Sequence, residues 1–229
     1  MCWSGQASFT LAACGFMGAY FAAKQNKHPA FRWVPLAYFS GMETLQGFTY
    51  FWIGQCGNNY NATLTTLSYL HIAFQPWFVT MFCMSFRPAD TWRKYWWAWL
   101  GCAVTTSVFL AMLLVPTFPG TCSTVGQNLC GEVTCSYHGE WHIAWMLQLS
   151  NLDPHYMSYF IVAFIFPILY GSWRMGTYHF LCGPFLMFFL SRDKNEQPAI
   201  WCLLSIALLL ATHIPSLNKW LHGGKVLES

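Results

Sequence analysis

Residues 33–53, WVPLAYFSGMETLQGFTYFWI, and residues 63–86, TLTTLSYLHIAFQPWFVTMFCMSF, decide the fold. Each is an apolar run long enough to cross a bilayer, whose hydrocarbon core of about 30 Å takes roughly 20 helical residues. Each also carries an ionisable group well inside it, Glu43 in the first and His71 in the second. A charge at that depth costs at least about 2.5–3.5 kcal/mol on insertion scales, so such residues are functional candidates by default.

Extending the same reading to the whole chain gives spans near 6–23, 33–53, 63–86, 95–116, 155–173, 175–190 and 199–217. The expectation is an all-α, seven-transmembrane-helix bundle forming one domain over residues 1–222, with a flexible tail at 223–229. Gly183-Pro184 is expected to kink the short sixth span, which membrane helices tolerate when neighbours satisfy the freed carbonyls. Composition agrees: 55% of residues are hydrophobic, 19% aromatic and 8% charged, against about 25% charged in soluble domains. The net charge of +3 comes from Lys and Arg scattered in ones and twos, with no basic patch to follow a phosphate backbone, so nucleic acid is not an expected partner. Met1 to Gln6 has no basic region ahead of the first apolar run, so that run is expected to stay as a helix rather than be cleaved.

Charge in the loops sets the expected orientation. Lys24, Lys27, Arg32, Arg87, Arg93, Lys94, Arg174, Lys219 and Lys225 fall on one side, whereas 54–62 and 117–153 contain no Lys or Arg. By the positive-inside rule the N-terminus lies outside and the C-terminus in the cytoplasm. Arg192 and Lys194, beside Asp193 and Glu196, break that pattern. Cys14, Cys83, Cys102, Cys182 and Cys202 fall within spans and read as packing residues. Cys56, Cys122, Cys130 and Cys135 lie in the Lys/Arg-free loops, with Cys2 at the outward N-terminus. Two disulfides among those four are expected, stapling 117–153 and tying it to 54–62, with three connectivities open. A loop metal site is the rival, but the spacing lacks the short Cys-x2-Cys pairs of common zinc sites.

Glu43, Gln46, Gly47 and Tyr50 share one face of the second span, and Ser68, His71 and Gln75 share one face of the third. At 1.5 Å per residue Glu43 lies about 15 Å below Ile53 and His71 about 12 Å below Thr63, so Glu43, Gln46, His71 and Gln75 are expected to meet in a polar chamber. Pro76 would free a backbone carbonyl beside it. Three roles remain open: mutual hydrogen bonding that fixes helix packing, a small-molecule or ion site, and a metal centre. The metal is short of ligands, because Glu43 and His71 supply two where catalytic zinc wants three.

Outside, Glu140, Trp141, His142 and Trp145, with Asp153, Asp193 and Glu196 nearby, are expected to form a lid. Residues 139–149 are read as a half-buried helix lying on the outer leaflet, with a plain interfacial anchor as the alternative. His179 and His213, near Tyr170 and Arg174, sit in the cytoplasmic third and read as core or interface histidines; a bis-histidine haem pair of His71 and His179 is disfavoured by depth.

The blocks Met-Cys-Trp-Ser at 1–4, Met-Glu-Thr-Leu-Gln at 42–46, Ser-Tyr-Leu-His-Ile-Ala-Phe-Gln-Pro at 68–76, Gly-Glu-Trp-His-Ile-Ala-Trp at 139–145, Tyr-Gly-Ser-Trp-Arg at 170–174 and Asn-Glu-Gln-Pro-Ala-Ile-Trp-Cys-Leu at 195–203 resemble an uncharacterised family of bacterial multi-span membrane proteins, a domain of unknown function. The resemblance runs over nearly the whole chain and implies a multi-pass protein of a bacterial inner membrane; it carries no activity, cofactor or substrate. The last span has no lysine in its apolar part to hold a retinal Schiff base, and the His-x3-His pair of a ceramidase-like hydrolase is missing. The functional expectation is a binding, transport or sensing site for a small molecule, lipid or ion, with an intramembrane hydrolase of a lipid-soluble substrate as the alternative.

Overall fold

The computed structural model describes residues 3–25, 30–88, 90–115, 129–150, 155–205 and 207–223. The chain is mostly helical. Helices α1 (Gly5–Gln25), α2 (Ala30–Thr49), α3 (Asn59–Met84), α4 (Thr91–Lys94) and α5 (Trp96–Leu114) come first, followed by strands β1 (Cys135–His138) and β2 (Ile143–Met146). Then α6 (His155–Phe160) and α7 (Phe166–Leu169) run on through a π-helical turn at Ile161–Ile165, and α8 (Trp173–Phe180) and α9 (Leu186–Leu190) through another at Leu181–Phe185. Helices α10 (Gln197–Leu204), α11 (Ala207–His213) and α12 (Pro215–Leu221) close the chain. Each of the seven stretches read from the sequence is helical along most of its described length.

Membrane crossing is a narrower matter. Helices α1, α2, α3 and α5 hold 21, 20, 26 and 19 residues, which at 1.5 Å per residue is close to or above the bilayer thickness. Among the described residues, only α5 is both long and apolar enough to span on composition; Met157–Leu169 is apolar but shorter. Lys24 in α1, Arg32 and Glu43 in α2, and the Asn, Thr, Ser, His and Gln side chains of α3 lower the hydropathy of those helices.

The elements alternate between two ends. At one end Arg32 reaches His222 at 2.7 Å and Arg174 Nη1 donates to the Trp220 carbonyl at 3.0 Å. At the other, residues 54–62, the hairpin and the 191–196 loop meet. Between them lies a core that includes Met42, Tyr69, Phe82, Phe109, Tyr159 and Tyr170. Helix α1 packs tightly on α2, where a Cβ at Gly47 would lie 2.8 Å from the Phe9 ring; small residues at such crossings let helices approach closely.

The all-α-like character holds, with one small β-hairpin added. One expectation needs correction: residues 139–149 form no lid helix. β1 and β2 pair antiparallel, Cys135 opposite Met146 and His138 opposite Ile143. Ile143, Ala144 and Trp145 are all fully buried, so the segment has two buried faces where a surface helix needs one. Side chains from the helices replace missing strand partners. Asn61 of α3 accepts from the Ser136 amide at 2.8 Å and donates to the Ser136 carbonyl at 2.9 Å. Across the hairpin, the Asn195 carbonyl accepts from the Trp145 amide at 3.0 Å, and Asn195 Oδ1 accepts from the Leu129 amide at 2.8 Å.

A disulfide joins Cys56 to Cys135, tying the 54–62 loop to β1 as one of the open connectivities allowed. Cys130 is also disulfide-bonded; Cys122 and Cys2 lie outside the described residues, as do Asp153 and the tail at 224–229. Cys14, Cys83, Cys102, Cys182 and Cys202 are free thiols.

Candidate functional site

The hairpin turn is organised by one carboxylate. Glu196, fully buried at the start of α10, accepts from the Trp141 amide at 2.5 Å and from the His142 amide through Oε1, and from the Ser191 hydroxyl at 2.6 Å through Oε2. The turn has to come very close for this. A Cβ on Gly139 would lie 2.7 Å from the Glu196 carboxyl and 2.7 Å from the His142 carbonyl, so no side chain fits there. Glu140 is exposed at the tip. Of the expected outer group, Trp141, His142 and Glu196 come together, through backbone amides rather than side chains.

His142 turns inward. Its Nε2 lies 2.7 Å from Gln46 Oε1 and its Nδ1 2.8 Å from the Tyr50 hydroxyl, while Gln46 Nε2 donates to the Ala199 carbonyl at 3.4 Å. That last bond orients the amide, so His142 Nε2 carries the proton and donates, and Nδ1 accepts from Tyr50. Burial pushes the imidazole down to about 3, keeping it neutral in this arrangement. All its polar atoms are used, which suits a positioning role better than proton transfer.

The expected chamber of Glu43, Gln46, His71 and Gln75 divides into four environments. Gln46 belongs to His142. Glu43 points toward α1 and a small gap lined by Leu11, Gly15 and Ser205; Ser8 is beside it, yet neither carboxyl oxygen makes a hydrogen bond of acceptable geometry. The His71 ring stacks on Tyr38 at 3.7 Å, and the Tyr38 hydroxyl donates to the His71 carbonyl. Ser68 is spent within α3 on the Leu64 carbonyl, at 2.9 Å. Gln75 faces a different space altogether. Helical phase brought the residues to shared faces, but each has a different neighbour.

That space is a cavity of about 510 Å³ among α3, α5, the α6–α7 rod, α9 and α10. Phe109, Phe160, Phe164 and Phe188 are among the residues of its wall, and Ser191, Arg192, Lys194 and Gln197 line its outer end. Three lining side chains keep a buried polar atom with no partner: Gln75 Nε2, Tyr159 Oη and Trp201 Nε1. Leaving such a group unpaired costs about 1–3 kcal/mol each. Tyr159 and Trp201 meet edge to face at 4.9 Å. Gly183 makes room for this wall, since a Cβ there would lie 3.0 Å from Trp201 Nε1. Both π-helical turns border the cavity, through Phe164 and Pro184; such turns recur at functional sites because they redirect side chains locally. Near Pro76, the Ala73 carbonyl is taken by the Thr106 hydroxyl at 2.8 Å.

Among the described residues no three His, Cys, Asp or Glu side chains converge as metal ligands. His179 is buried beside Phe164 and Trp201 with neither ring nitrogen partnered, and His213 Nε2 lies 3.0 Å from the Gly18 carbonyl. Sequence reasoning missed Tyr159, Trp201, Ser191, Gly139, Asn61 and Asn195. The available signal was the polar tip of a Tyr or Trp in an apolar span, which needs a partner once buried.

The fold is thus a mostly helical bundle capped at one end by a disulfide-tied hairpin, with an aromatic cavity beneath the cap. The chain belongs to DUF5765, a family of unknown function, whose model matches residues 6–222. Comparison with curated proteins and with solved structures gave no match.

Proposed function

We propose that this chain is a seven-span protein of a bacterial inner membrane, N-terminus outside and C-terminus cytoplasmic, whose aromatic cavity binds a lipid-soluble small molecule as a carrier or sensor. The observation that carries the binding reading is the cavity itself, lined by the aromatic residues Phe109, Tyr159, Phe160, Phe164, Phe188 and Trp201. Its volume falls in the range of about 300–1,000 Å³ that takes one small ligand. The membrane reading is supported by large apolar side chains standing outward, among them Phe189 at 75% and Leu114 at 74% exposure, a pattern that water-facing surfaces avoid. The separation of basic loops to one end and Lys/Arg-free loops to the other supports the orientation.

Topology is tested by fusing a reporter active only in the cytoplasm. Activity is expected at 87–94 and none at 123–128; the reverse would overturn the orientation. For binding, the full-length protein in detergent is titrated with monoolein and read by native mass spectrometry. One bound equivalent is expected. The Phe160→Ala/Phe164→Ala double variant removes two rings from the wall, each worth about 1.5–3 kcal/mol when buried against a ligand, so affinity should fall at least about tenfold. Undiminished binding by the double variant would end the assignment of this cavity.

A further inference from the structure

Arg192 breaks the charge asymmetry of the loops, standing at the end where 54–62 and 117–153 carry no Lys or Arg. It is exposed and lines the outer end of the aromatic cavity, and among the described residues it has no hydrogen bond, ion pair or ring contact. Lys194 lines the same end but is already engaged in an interaction of its own. The acidic groups of this loop are committed elsewhere: Glu196 is held by the Trp141 and His142 amides and the Ser191 hydroxyl, and Asp193 Oδ1 accepts from the Asn195 amide at 2.9 Å. Neither acidic residue lines the cavity. Among the described residues, the mouth thus offers one uncommitted cation.

Resting on the binding reading above, we propose that the ligand is a single-chain fatty acid taken from the bilayer, its carboxylate at Arg192 and its chain among Phe160, Phe164 and Phe188. The position of the one free charge carries this. A guanidinium is a planar fork that matches a carboxylate bidentately, and one cation balances a singly charged head, whereas a phosphate monoester brings a charge of about −1.5 to −2. Because Arg192 is exposed, the pair forms at a wet mouth and neither charge bears the cost of deep burial. Below the mouth the wall is apolar: from Ser191 to Pro184, about 10 Å along the chain of α9 and its π-helical turn, and the polar atoms of Gln75, Tyr159 and Trp201 are covered rather than open to the cavity. A ligand charged at one end and without further polar groups suits such a wall. Access agrees as well. Phe160 and Phe188 are 39% and 59% exposed and also line the cavity, so its α6 and α9 side is continuous with the outer surface of the bundle, which on the membrane reading faces lipid.

The test compares probes that share one alkyl chain, laurate, neutral dodecan-1-ol and dodecyl phosphate, on the full-length protein in a non-ionic detergent, read by native mass spectrometry. Laurate is expected to bind about fivefold tighter than dodecanol, the order of a well-formed ion pair at a solvated site. Arg192→Ala should bring laurate to the level of dodecanol and leave dodecanol unchanged, whereas Phe160→Ala/Phe164→Ala should weaken both. Equal binding of laurate and dodecanol by the parent, or no effect of Arg192→Ala on laurate, would overturn the carboxylate seat while the cavity reading stands. Tighter binding of dodecyl phosphate than of laurate would overturn it in favour of a phosphate head. Excess acetate should leave laurate bound; full displacement would mark a soluble-anion site and overturn the fatty-acid assignment. Failure of laurate, dodecanol and monoolein alike to bind would remove the cavity reading and this inference together.

Discussion

Replacing Glu196 with Ala is expected to destabilise the protein by about 3–5 kcal/mol, because it strips the part-buried Trp141 amide, the buried His142 amide and the buried Ser191 hydroxyl of one shared acceptor, at about 1–3 kcal/mol for each buried group left unpaired. For a chain of this size that corresponds to a loss of roughly 10 °C in thermal midpoint. Glu196→Gln separates geometry from charge. An amide oxygen still accepts from both backbone N–H groups, and the Ser191 hydroxyl can turn to accept from the amide nitrogen, so the loss should be about 1 kcal/mol. Gly139→Ala should match Glu196→Ala, since its Cβ would occupy the carboxylate's position. Thermal unfolding of the three variants in one detergent decides the matter. A midpoint for Glu196→Ala within about 2 °C of the parent, against the roughly 10 °C expected, would show that the clamp does not hold the hairpin.

Reduction of the Cys56–Cys135 bond should be the second large effect. The bond closes a loop of 79 residues, for which chain entropy gives about 4.5 kcal/mol. Helices α3 and α5 lie within that loop, and if they persist in the unfolded state the effective loop is shorter, so about 2–4 kcal/mol is expected. Non-reducing peptide mapping should recover a Cys56–Cys135 linked pair, and Cys56→Ser should lower the midpoint and expose the hairpin to protease. Reactivity of both thiols toward an alkylating reagent without reduction would contradict the pairing. The clamp and the disulfide act on the same hairpin, so the Cys56→Ser/Glu196→Ala double variant should be non-additive.

The helical segments were legible because apolar runs of span length have few alternatives in structure. The tie from the 54–62 loop to 117–153 was legible too, from cysteines confined to loops without Lys or Arg. The hairpin was not: Gly-Glu-Trp-His-Ile-Ala-Trp has the bulk of an interfacial helix, and only Asn61 and Asn195, distant in sequence, supply the edge bonds that make it a strand. The candidate site was legible in part. Gln75 was flagged as an intramembrane amide and Arg192 and Lys194 as misplaced cations, yet nothing local relates them to Tyr159 or Trp201.

What the sequence determined by itself is the period and placement of its helices, since these depend on hydrophobic runs and on polar breaks read within a few residues. It also determined which residues share a helical face, because 3.6 residues per turn is a local rule. Tertiary structure alone decided what each face meets. Glu43, Gln46, His71 and Gln75 have matching phase and depth, but helix rotation and the hairpin's insertion gave Gln46 to His142, stacked His71 on Tyr38, turned Glu43 toward α1, and left Gln75 on the cavity. Packing of several helices at once fixes those rotations, and no single segment contains that information.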